Sequence, residues 1–312
     1  MKIISQSPTR LSLFGGGTDL SPYAKEFGGI CINLAINIRQ HFTIETGNEA
    51  YEILEMPKGA NFNFYRAFLH ELDCPPVNIT ARADGPIESG LGSSASAAVA
   101  LIGAISKYKG IVLTKNEIAE KAWDIEVNKL GLYGGKQDQY ATVYGGANFL
   151  VFEDKVYRYS LRRNGIEKIY PYLMLFYTGQ NRKSPQIQEA FKTLTESQKE
   201  ALDQLKEIAY AAVDPIKSGD VEQVAKLLQA TWEFKKKSNK GVTNERIDLI
   251  YQSALEAGAW AGKVLGAGGG GHMVFICLPE KQIELINKLE KMDCKWIDFG
   301  IDFNGLEVRR ID

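Results

Sequence analysis

The sequence predicts an α+β fold, arranged as two domains that share one interface or as one large domain. The chain has 312 residues, about twice the ~150 residues of an average domain. Period-two alternation indicates strands in its first third, and apolar residues at helical spacing fill most of its second half. Hydrophobic residues make up 45% of the chain and charged residues 24%, a composition that excludes a disordered, collagen-like or coiled-coil protein.

Short apolar segments with β-branched residues predict the strands of the first third. Residues 31–38 alternate between the two faces of a strand, and residues 3–4, 11–14 and 77–80 are shorter segments of the same kind. Residues 60–72 differ, because their aromatic and leucine side chains recur at helical spacing. We therefore expect one helix among these strands.

More helices are predicted after a stretch rich in glycine and serine at residues 86–94. Residues 95–108 are small and apolar and predict a buried helix. Thr114, with Glu117 three positions further on, predicts the capped start of another helix. From residue 185 to residue 257 the spacing is mostly helical.

Strands and one helix complete the pattern. Two buried strands, a helix and a closing strand are predicted at residues 172–177, 272–278, 280–291 and 305–311. The pattern changes near residues 155–170. We therefore expect an N-terminal domain of residues 1–160 and a C-terminal domain of residues 161–312.

Charge and cysteine content exclude several classes of function. Lysine and arginine number 37 against 38 aspartates and glutamates, so the basic excess of a nucleic-acid-binding protein is missing. The four cysteines are scattered without a CxxC pair, which argues against zinc and suits the reduced thiols of a cytoplasmic protein. The sequence has no apolar run of the ~18 residues that a membrane span needs, and no signal peptide is predicted. We expect neither a nucleic-acid partner nor a membrane.

Residues 86–96 carry the strongest indication of chemistry. Gly90 and Gly92 let the backbone approach a ligand closely and expose consecutive N–H groups. The predicted helix that follows directs its positive N-terminus at this loop, an arrangement that binds phosphate. Ser93 and Ser94 add hydroxyl groups suited to a phosphate or a hydrated Mg²⁺. The alternative is a glycine turn capped by serine.

This loop departs from the common nucleotide-binding motifs. A dinucleotide fingerprint requires a third glycine where Ala95 stands. A Walker phosphate loop has the pattern GxxxxGK followed by serine or threonine, and residues 257–264 are the segment most similar to it. Ala257 stands there in place of the first glycine, and Val264 in place of serine or threonine. The signature segments of protein kinases are missing.

A second glycine-rich segment, residues 266–271, precedes a predicted strand. Five glycines in six positions cannot form a packed helix, and they permit close approach to another backbone or to a ligand. A tight turn before the strand explains them equally well. We interpret the neighbouring His272 as a structural residue rather than a ligand.

A third glycine segment lies at residues 14–19. Arg10 precedes it in an apolar context, where a charge requires a partner. Asp19 follows three glycines and is suited to accept hydrogen bonds from sugar hydroxyls. The alternative is a hairpin turn with an acidic turn residue.

Two acids form the last candidate site. Glu126 lies on a predicted helix, and Asp138 follows twelve residues later, after the glycine pair 134–135. Two such acids are suited to hold a metal and to act as a base. On the local pattern alone, a solvated helix face is the better explanation.

Taken in order, these four segments resemble the GHMP kinase superfamily, which includes galactokinases, homoserine kinases and mevalonate kinases. The resemblance covers nearly the whole chain, and its phosphate-loop motif is highly specific. Residues 14–20 (FGGGTDL), 134–141 (GGKQDQYA) and 176–179 (FYTG) are most similar to the D-glycero-D-manno-heptose 7-phosphate kinases of the sugar-1-kinase branch. Enzymes of that branch phosphorylate the anomeric hydroxyl of a sugar phosphate with ATP.

The resemblance implies two α+β domains with the active site in the cleft between them. The N-terminal domain would resemble a ribosomal-protein fold, and the C-terminal domain a ferredoxin-like sandwich with added helices. ATP and Mg²⁺ are the implied cofactors. A kinase of another sugar, similar to fucokinase or galactokinase, is one alternative, although Gly16 and Gly17 replace the Glu-His of galactokinases. A non-catalytic sensor of sugar and nucleotide is the other, although the retained acids argue against it.

The resemblance also implies roles for individual residues. Asp138 matches the acid that orients or deprotonates the acceptor hydroxyl, and Arg10 matches the basic residue that keeps this acid ionised. Ser94 and Glu126 match two Mg²⁺ ligands. The residues that would surround ATP are Gly90, Leu91, Gly92, Ser93, Ser94, Ala95, Gly268 and Gly269. The residues that would bind the sugar are Gly16, Gly17, Thr18, Asp19, Gly135, Lys136, Thr178 and Gly179. Arg182 and Lys183 are either ligands of the sugar's own phosphate or part of a solvated loop.

Overall fold

Two β-sheets carry the helices of this protein. The computed structural model describes residues 1–47, 49–87, 89–180 and 193–311. Within these ranges the larger sheet contains β1 Lys2–Phe14, β2 Gly29–Thr46, β3 Glu52–Glu55, β4 Val77–Ala83, β5 Ala147–Phe152, β6 Val156–Ser160 and β11 Glu307–Ile311. The smaller sheet contains β7 Leu173–Tyr177, β8 Ala259–Val264, β9 His272–Cys277 and β10 Lys295–Ile297. The predicted α+β class is confirmed.

Helices pack on both sheets and fill most of the second half of the chain. They are α1 Tyr23–Phe27, α2 Phe62–Glu71, α3 Ser93–Tyr108, α4 Lys115–Asp124, α5 Gln137–Tyr144, α6 Arg163–Ile169, α7 Glu196–Ala211, α8 Val213–Ser218, α9 Val221–Ser238, α10 Glu245–Glu256 and α11 Gln282–Glu290. The helical spacing predicted from residue 185 onward is confirmed from residue 196, and residues 185–192 lie outside the described residues.

The last strand of the chain lies beside the first strand in the larger sheet. The larger sheet has the order β11-β1-β2-β4-β3, with β5 paired to β2 and β6 to β5, whereas the smaller sheet has the order β10-β7-β9-β8. β11 pairs antiparallel with β1, so residues 307–311 belong to the first sheet. The division into residues 1–160 and 161–312 stays a prediction, and the two sheets do not follow it at the C-terminus.

β1 is a single long strand where the sequence predicted separate short segments. Its register with β2 shifts between Pro8 and Thr9. An irregularity at this point accommodates a residue that has no N–H donor. The strand therefore continues through Arg10, which pairs with Ala35 of β2, and brings a charged side chain into the interior.

α3 begins two residues before its predicted start. Gly92 is its N-cap residue and adopts the left-handed conformation, with φ of 72°, which costs glycine little. The helix is buried from Ala95 to Ser106 and contacts β1 and β2. Its small side chains permit this close packing, and its N-terminus lies beside the loop of residues 89–92.

α4 starts as predicted and ends in an unusual turn. Thr114 and Glu117 form the reciprocal hydrogen bonds of a capping box, which confirms that prediction. The helix then continues as a π-helical turn, Ile125–Lys129, in which Glu126 is buried. π-Helical turns inside α-helices occur frequently at functional sites.

One apolar core joins the two sheets. Leu34 and Ile36 of β2 belong to the same buried cluster as Leu175 of β7 and Val274 of β9. The two sheets therefore share a continuous hydrophobic core. Among the described helices, none is both long enough and apolar enough to cross a membrane.

Candidate active site

The first and second glycine-rich loops pack directly against each other. A Cβ atom on Gly90 would lie 2.6 Å from the carbonyl oxygen of Leu265, and one on Gly266 would lie 2.8 Å from the Cα of Gly90. The amide of His272 also donates to the carbonyl of Ser89 at 3.0 Å. These glycines are therefore required for the close packing of one backbone on the other. Through it, the loop of residues 89–92 contacts the loop of residues 266–271.

The N-terminus of α3 faces the predicted acid and its basic partner. A Cβ on Gly92 would lie 3.1 Å from Asp138 Oδ2 and 3.2 Å from Arg10 Cζ. Leu91 has its side chain in the shared core, and its carbonyl accepts from the amide of Arg10 at 2.9 Å. Ala95 is buried in the first turn of the helix. Backbone and helix dipole, rather than these side chains, are therefore what the loop offers to an anion.

Arg10 and Asp138 form a two-pronged ion pair. Arg10 Nε donates to Asp138 Oδ1 at 2.6 Å, and Nη2 donates to Oδ2 at 2.5 Å. Arg10 Nη1 donates to the carbonyl of Gly90 at 2.6 Å. The Arg10 side chain is 5% exposed and that of Asp138 25%. A buried guanidinium thus fixes the carboxylate beside the loop of residues 89–92 while leaving the carboxylate partly exposed.

Ser94 and Glu126 also meet. The Ser94 hydroxyl donates to Glu126 Oε1, and the amide of Gln139 donates to Glu126 Oε2 at 2.6 Å. Burial raises the pKa of Glu126 to about 7, against the lowering effect of these two hydrogen bonds. Within the described residues there is no cluster of three or more His, Cys, Asp or Glu side chains able to hold a metal. Ser94 and Glu126 therefore bring two side-chain oxygen atoms together at this point.

Asp19 lies close enough to Asp138 for the two carboxyl groups to interact. Its Oδ1 accepts from the Gly17 amide and from Gln137 Nε2, both at 3.1 Å. Burial and the nearby Asp138 carboxylate raise the pKa of Asp19. A Cβ on Gly135 would overlap Asp19 Oδ2. The backbone around Gly135 and the glycines before Asp19 therefore enclose its carboxyl group.

Several predicted sugar-binding residues have other partners. Thr18 Oγ1 lies 2.8 Å from the carbonyl oxygens of both Gly15 and Ile30, which compete for its one hydrogen. A Cβ on Gly16 would lie 2.7 Å from Ser12 Oγ. These residues support the turn that presents Asp19.

Lys136 points to α4. Its ammonium donates to Glu120 Oε2 at 2.5 Å and lies 4.5 Å from the centre of the Trp123 ring. Its described partners are thus on α4 rather than at Asp19 or Asp138, and its role in sugar binding stays a prediction.

Of four more predicted residues, Gly268 and Gly269 lie in the glycine-rich loop 266–271, and Thr178 and Gly179 directly follow β7. Thr178 Oγ1 donates to the carbonyl of Gly271 at 2.9 Å, and a Cβ on Gly179 would lie 2.9 Å from the carbonyl of Asp293. The predicted nucleotide-binding residues contact Val242: a Cβ on Gly268 would lie 2.6 Å from its carbonyl oxygen, and the Gly269 amide donates to that oxygen at 2.7 Å. Arg182 and Lys183 lie outside the described residues.

Two buried lysines near the site were not predicted as site residues. Lys263 Nζ donates to the carbonyl of Ser12 at 2.6 Å, and Lys235 Nζ donates to that of Gly266 at 2.6 Å. Burial, and secondarily the charge of Arg10, lowers the pKa of Lys235 to about 8. Burial also lowers the pKa of Lys263. Lys263 stands in an apolar strand, so the argument that Arg10 needs a partner applies to it as well.

His272 has the structural contact expected of it. It is fully buried, and its Nδ1 lies 2.9 Å from the carbonyl of Ser89. Burial lowers its pKa from 6.5 to about 4. Between these two values the unfolded chain binds more protons than the folded protein, so stability falls as the pH drops from about 6.5 to about 4.

We expect His272→Asn to weaken this pH dependence, because asparagine does not titrate between these pH values. Its amide can still donate to the carbonyl of Ser89 and so keep the contact. From pH 7 to pH 4.5 the free energy of unfolding of the wild type should fall by about 2–3 kcal/mol more than that of the variant. Urea unfolding at both pH values measures the difference. Equal losses in the two proteins would show that His272 does not carry the proton uptake.

Family comparisons agree with this geometry. The GHMP kinases N terminal domain family matches residues 60–146, and the GHMP kinases C terminal family matches residues 211–293. The chain belongs to the GHMP kinases, and the predicted two-domain α+β fold of that family is confirmed. It is an ATP-dependent kinase, since GHMP kinases use ATP as phosphate donor.

The individual relatives of this chain include kinases of different sugars. A D-glycero-alpha-D-manno-heptose 7-phosphate kinase of Campylobacter jejuni is 30% identical over 100% of both chains. The crystal structure of a D-glycero-D-manno-heptose 1-phosphate kinase from Bacteriodes thetaiotaomicron is similar, with a TM-score of 0.81 and 28% identity over 99% of both chains. A galactokinase of Thermotoga maritima is 26% identical over 98% of each chain. Several kinds of sugar kinase are therefore similar to this chain.

Proposed function

We propose that this kinase transfers the γ-phosphate of ATP to the anomeric hydroxyl of D-glycero-D-manno-heptose 7-phosphate and forms the 1,7-bisphosphate. The observation that carries the proposal is the Arg10–Asp138 pair, which lies beside the start of α3 and near the Asp19 carboxyl group. The full-length similarity to a heptose 7-phosphate kinase supports this choice of sugar.

In this proposal Asp138 orients the sugar hydroxyl and accepts its proton late in the reaction. The hydroxyl oxygen bonds to the γ-phosphorus, the bond from that phosphorus to the β-phosphate oxygen breaks, and ADP leaves. Phosphoryl transfer depends mainly on positioning and charge neutralisation. Arg10 holds Asp138 at two atoms, while the loop of residues 90–95 offers backbone N–H groups and a helix N-terminus to the phosphates. Asp19 accepts hydrogen bonds from other sugar hydroxyls.

Mg²⁺ is proposed as the accompanying ion, held by Ser94 and Glu126. A hydroxyl and a carboxylate are oxygen ligands of the kind that Mg²⁺ prefers, and it commonly uses only one or two protein ligands besides phosphates. Among the described residues, no lysine or arginine forms an ion pair with the buried Glu126, so a cation fits there. The chemistry that such an ion supplies is neutralisation of phosphate charge.

The choice of sugar rests on further residues of the chain. Gly16 and Gly17 stand where galactokinases carry Glu-His, which disfavours galactose. Arg182 and Lys183 stay predictions as ligands of the 7-phosphate. The four free cysteines support a reducing compartment, and a cytoplasmic location also stays a prediction.

An ADP-release assay with ATP and Mg²⁺ tests the proposal. We expect turnover with heptose 7-phosphate and background rates with mannose, galactose, fucose and no sugar. The variant Asp138→Asn, purified identically, controls for contaminating kinases. Turnover with a free hexose but not with heptose 7-phosphate would show that the substrate is another sugar. ATP binding without turnover on any sugar would favour the sensor.

A further inference from the structure

The first turn of α5 contacts three functional side chains through three consecutive residues. Gln137 donates to Asp19, Asp138 accepts from Arg10, and Gln139 donates to Glu126. Consecutive residues of an α-helix point about 100° apart. One helical turn at this place can therefore reach the sugar side, the proton acceptor and the metal side of the proposed site.

The contact of Gln139 is short and buried. Its Nε2 lies 2.6 Å from Glu126 Oε2, Gln139 and Glu126 are each 5% exposed, and Ser94 donates to the other carboxylate oxygen. The amide nitrogen of Gln139 faces Glu126 and donates to its carboxyl oxygen. Gln139 thereby fixes the rotation of the carboxyl group and leaves Oε1 directed at Ser94.

The contact of Gln137 is separate from that of Gln139. Its Nε2 and the Gly17 amide donate to the same oxygen of Asp19, Oδ1, both at 3.1 Å. The backbone of Gln137 is also held, because Asn33 Nδ2 donates to the backbone carbonyl of Gln137 at 3.4 Å. Two donors on one oxygen fix the plane of the Asp19 carboxyl group and leave Oδ2 to face the backbone at Gly135.

Both amides are held through their nitrogen atoms. Among the described residues, neither Gln137 Oε1 nor Gln139 Oε1 has a hydrogen-bond partner, although both atoms are buried. The structure thus maintains two buried amides whose polar contacts are donations to functional carboxyl groups.

We propose that Gln137 and Gln139 are positioning residues with separable effects: Gln137 orients Asp19 for the sugar, and Gln139 orients Glu126 for the metal–nucleotide complex. This inference rests on the proposed function for the identity of the two ligands. Neither residue touches the reacting atoms, so each acts through the carboxyl group that it holds.

Two matched variants test the separation, Gln137→Leu and Gln139→Leu. The metal side is measured without turnover, by calorimetric titration of Mn²⁺ into the protein bound to a non-hydrolysable ATP analogue. The sugar side is measured as the KM for heptose 7-phosphate, or for the sugar identified in the ADP-release assay. Gln139→Leu should weaken Mn²⁺ binding about 10- to 100-fold with an almost unchanged sugar KM. Gln137→Leu should raise the sugar KM about tenfold or more with unchanged Mn²⁺ binding.

A structural role alone would not produce this pattern, in which each variant changes one of the two measured quantities and leaves the other unchanged. If both variants alter both quantities equally, or if neither variant alters its own quantity, the inference is wrong. Should a leucine variant fail to fold, Gln137→Met or Gln139→Met, which keeps the side-chain length, takes its place under the same criterion. A wild-type protein that turns over no sugar would contradict the proposed function, and the Mn²⁺ titration would still decide the role of Gln139.

Discussion

Asp138→Asn is expected to lower kcat roughly 10²- to 10⁴-fold, the contribution usually made by a positioned proton acceptor. Asparagine has nearly the same size and still contacts Arg10, but its amide cannot accept the proton of the sugar hydroxyl. The loop of residues 90–95 is unchanged, so the affinity for ATP should be nearly unchanged. Steady-state ADP release gives kcat, and calorimetry with a non-hydrolysable ATP analogue gives the nucleotide affinity.

Asp214→Asn is the matched control for this variant. Its side chain is 92% exposed, and the ion-pair partner of its carboxylate in the described structure is Lys217, so its removal should leave kcat unchanged. A near-wild-type kcat in Asp138→Asn would contradict the role of Asp138 in proton transfer. Loss of ATP affinity together with kcat would instead indicate that Asp138 supports the phosphate loop through Arg10.

Local rules account for the elements that the sequence predicted well. The capping box of Thr114 and Glu117 spans one helical turn, and the small residues of α3 indicate burial by themselves. β1 was divided in the prediction because Pro8 interrupts it, and only the paired strand β2 reveals the register shift that keeps it continuous. The return of β11 to β1 joins residues about 300 positions apart, which no local pattern encodes.

The same distinction applies to the site. The sequence indicated that Arg10 needs a partner, but the partner is 128 positions away and was suggested by the family resemblance alone. Gln137 and Gln139 were missed because an amide at the start of a helix fits any solvated surface. Lys263 was detectable, since a lysine among the apolar residues of β8 requires the same explanation as Arg10.

Gly135→Ala is expected to lower kcat/KM for the sugar about 10²-fold, as a displacement of about 1 Å in an active site can do. The added methyl group would overlap Asp19 Oδ2 and lie 2.6 Å from the Asp19 carbonyl oxygen. Asp19 cannot rotate freely to relieve this overlap, because Gly17 and Gln137 hold its other oxygen. The carboxyl group or the loop that carries Gly135 must therefore move.

Gly134→Ala separates this overlap from a general effect of alanine in the loop. No heavy atom lies within 4 Å of a Cβ added at Gly134, and neither glycine has a positive φ, so backbone strain does not distinguish the two positions. We expect Gly134→Ala to keep wild-type kcat/KM in the same assay. Equal losses in both variants would mean that the loop needs glycine for flexibility. Loss at Gly135 alone, with an unchanged KM for ATP, would assign the effect to the overlap with Asp19 rather than to a general effect of alanine in the loop.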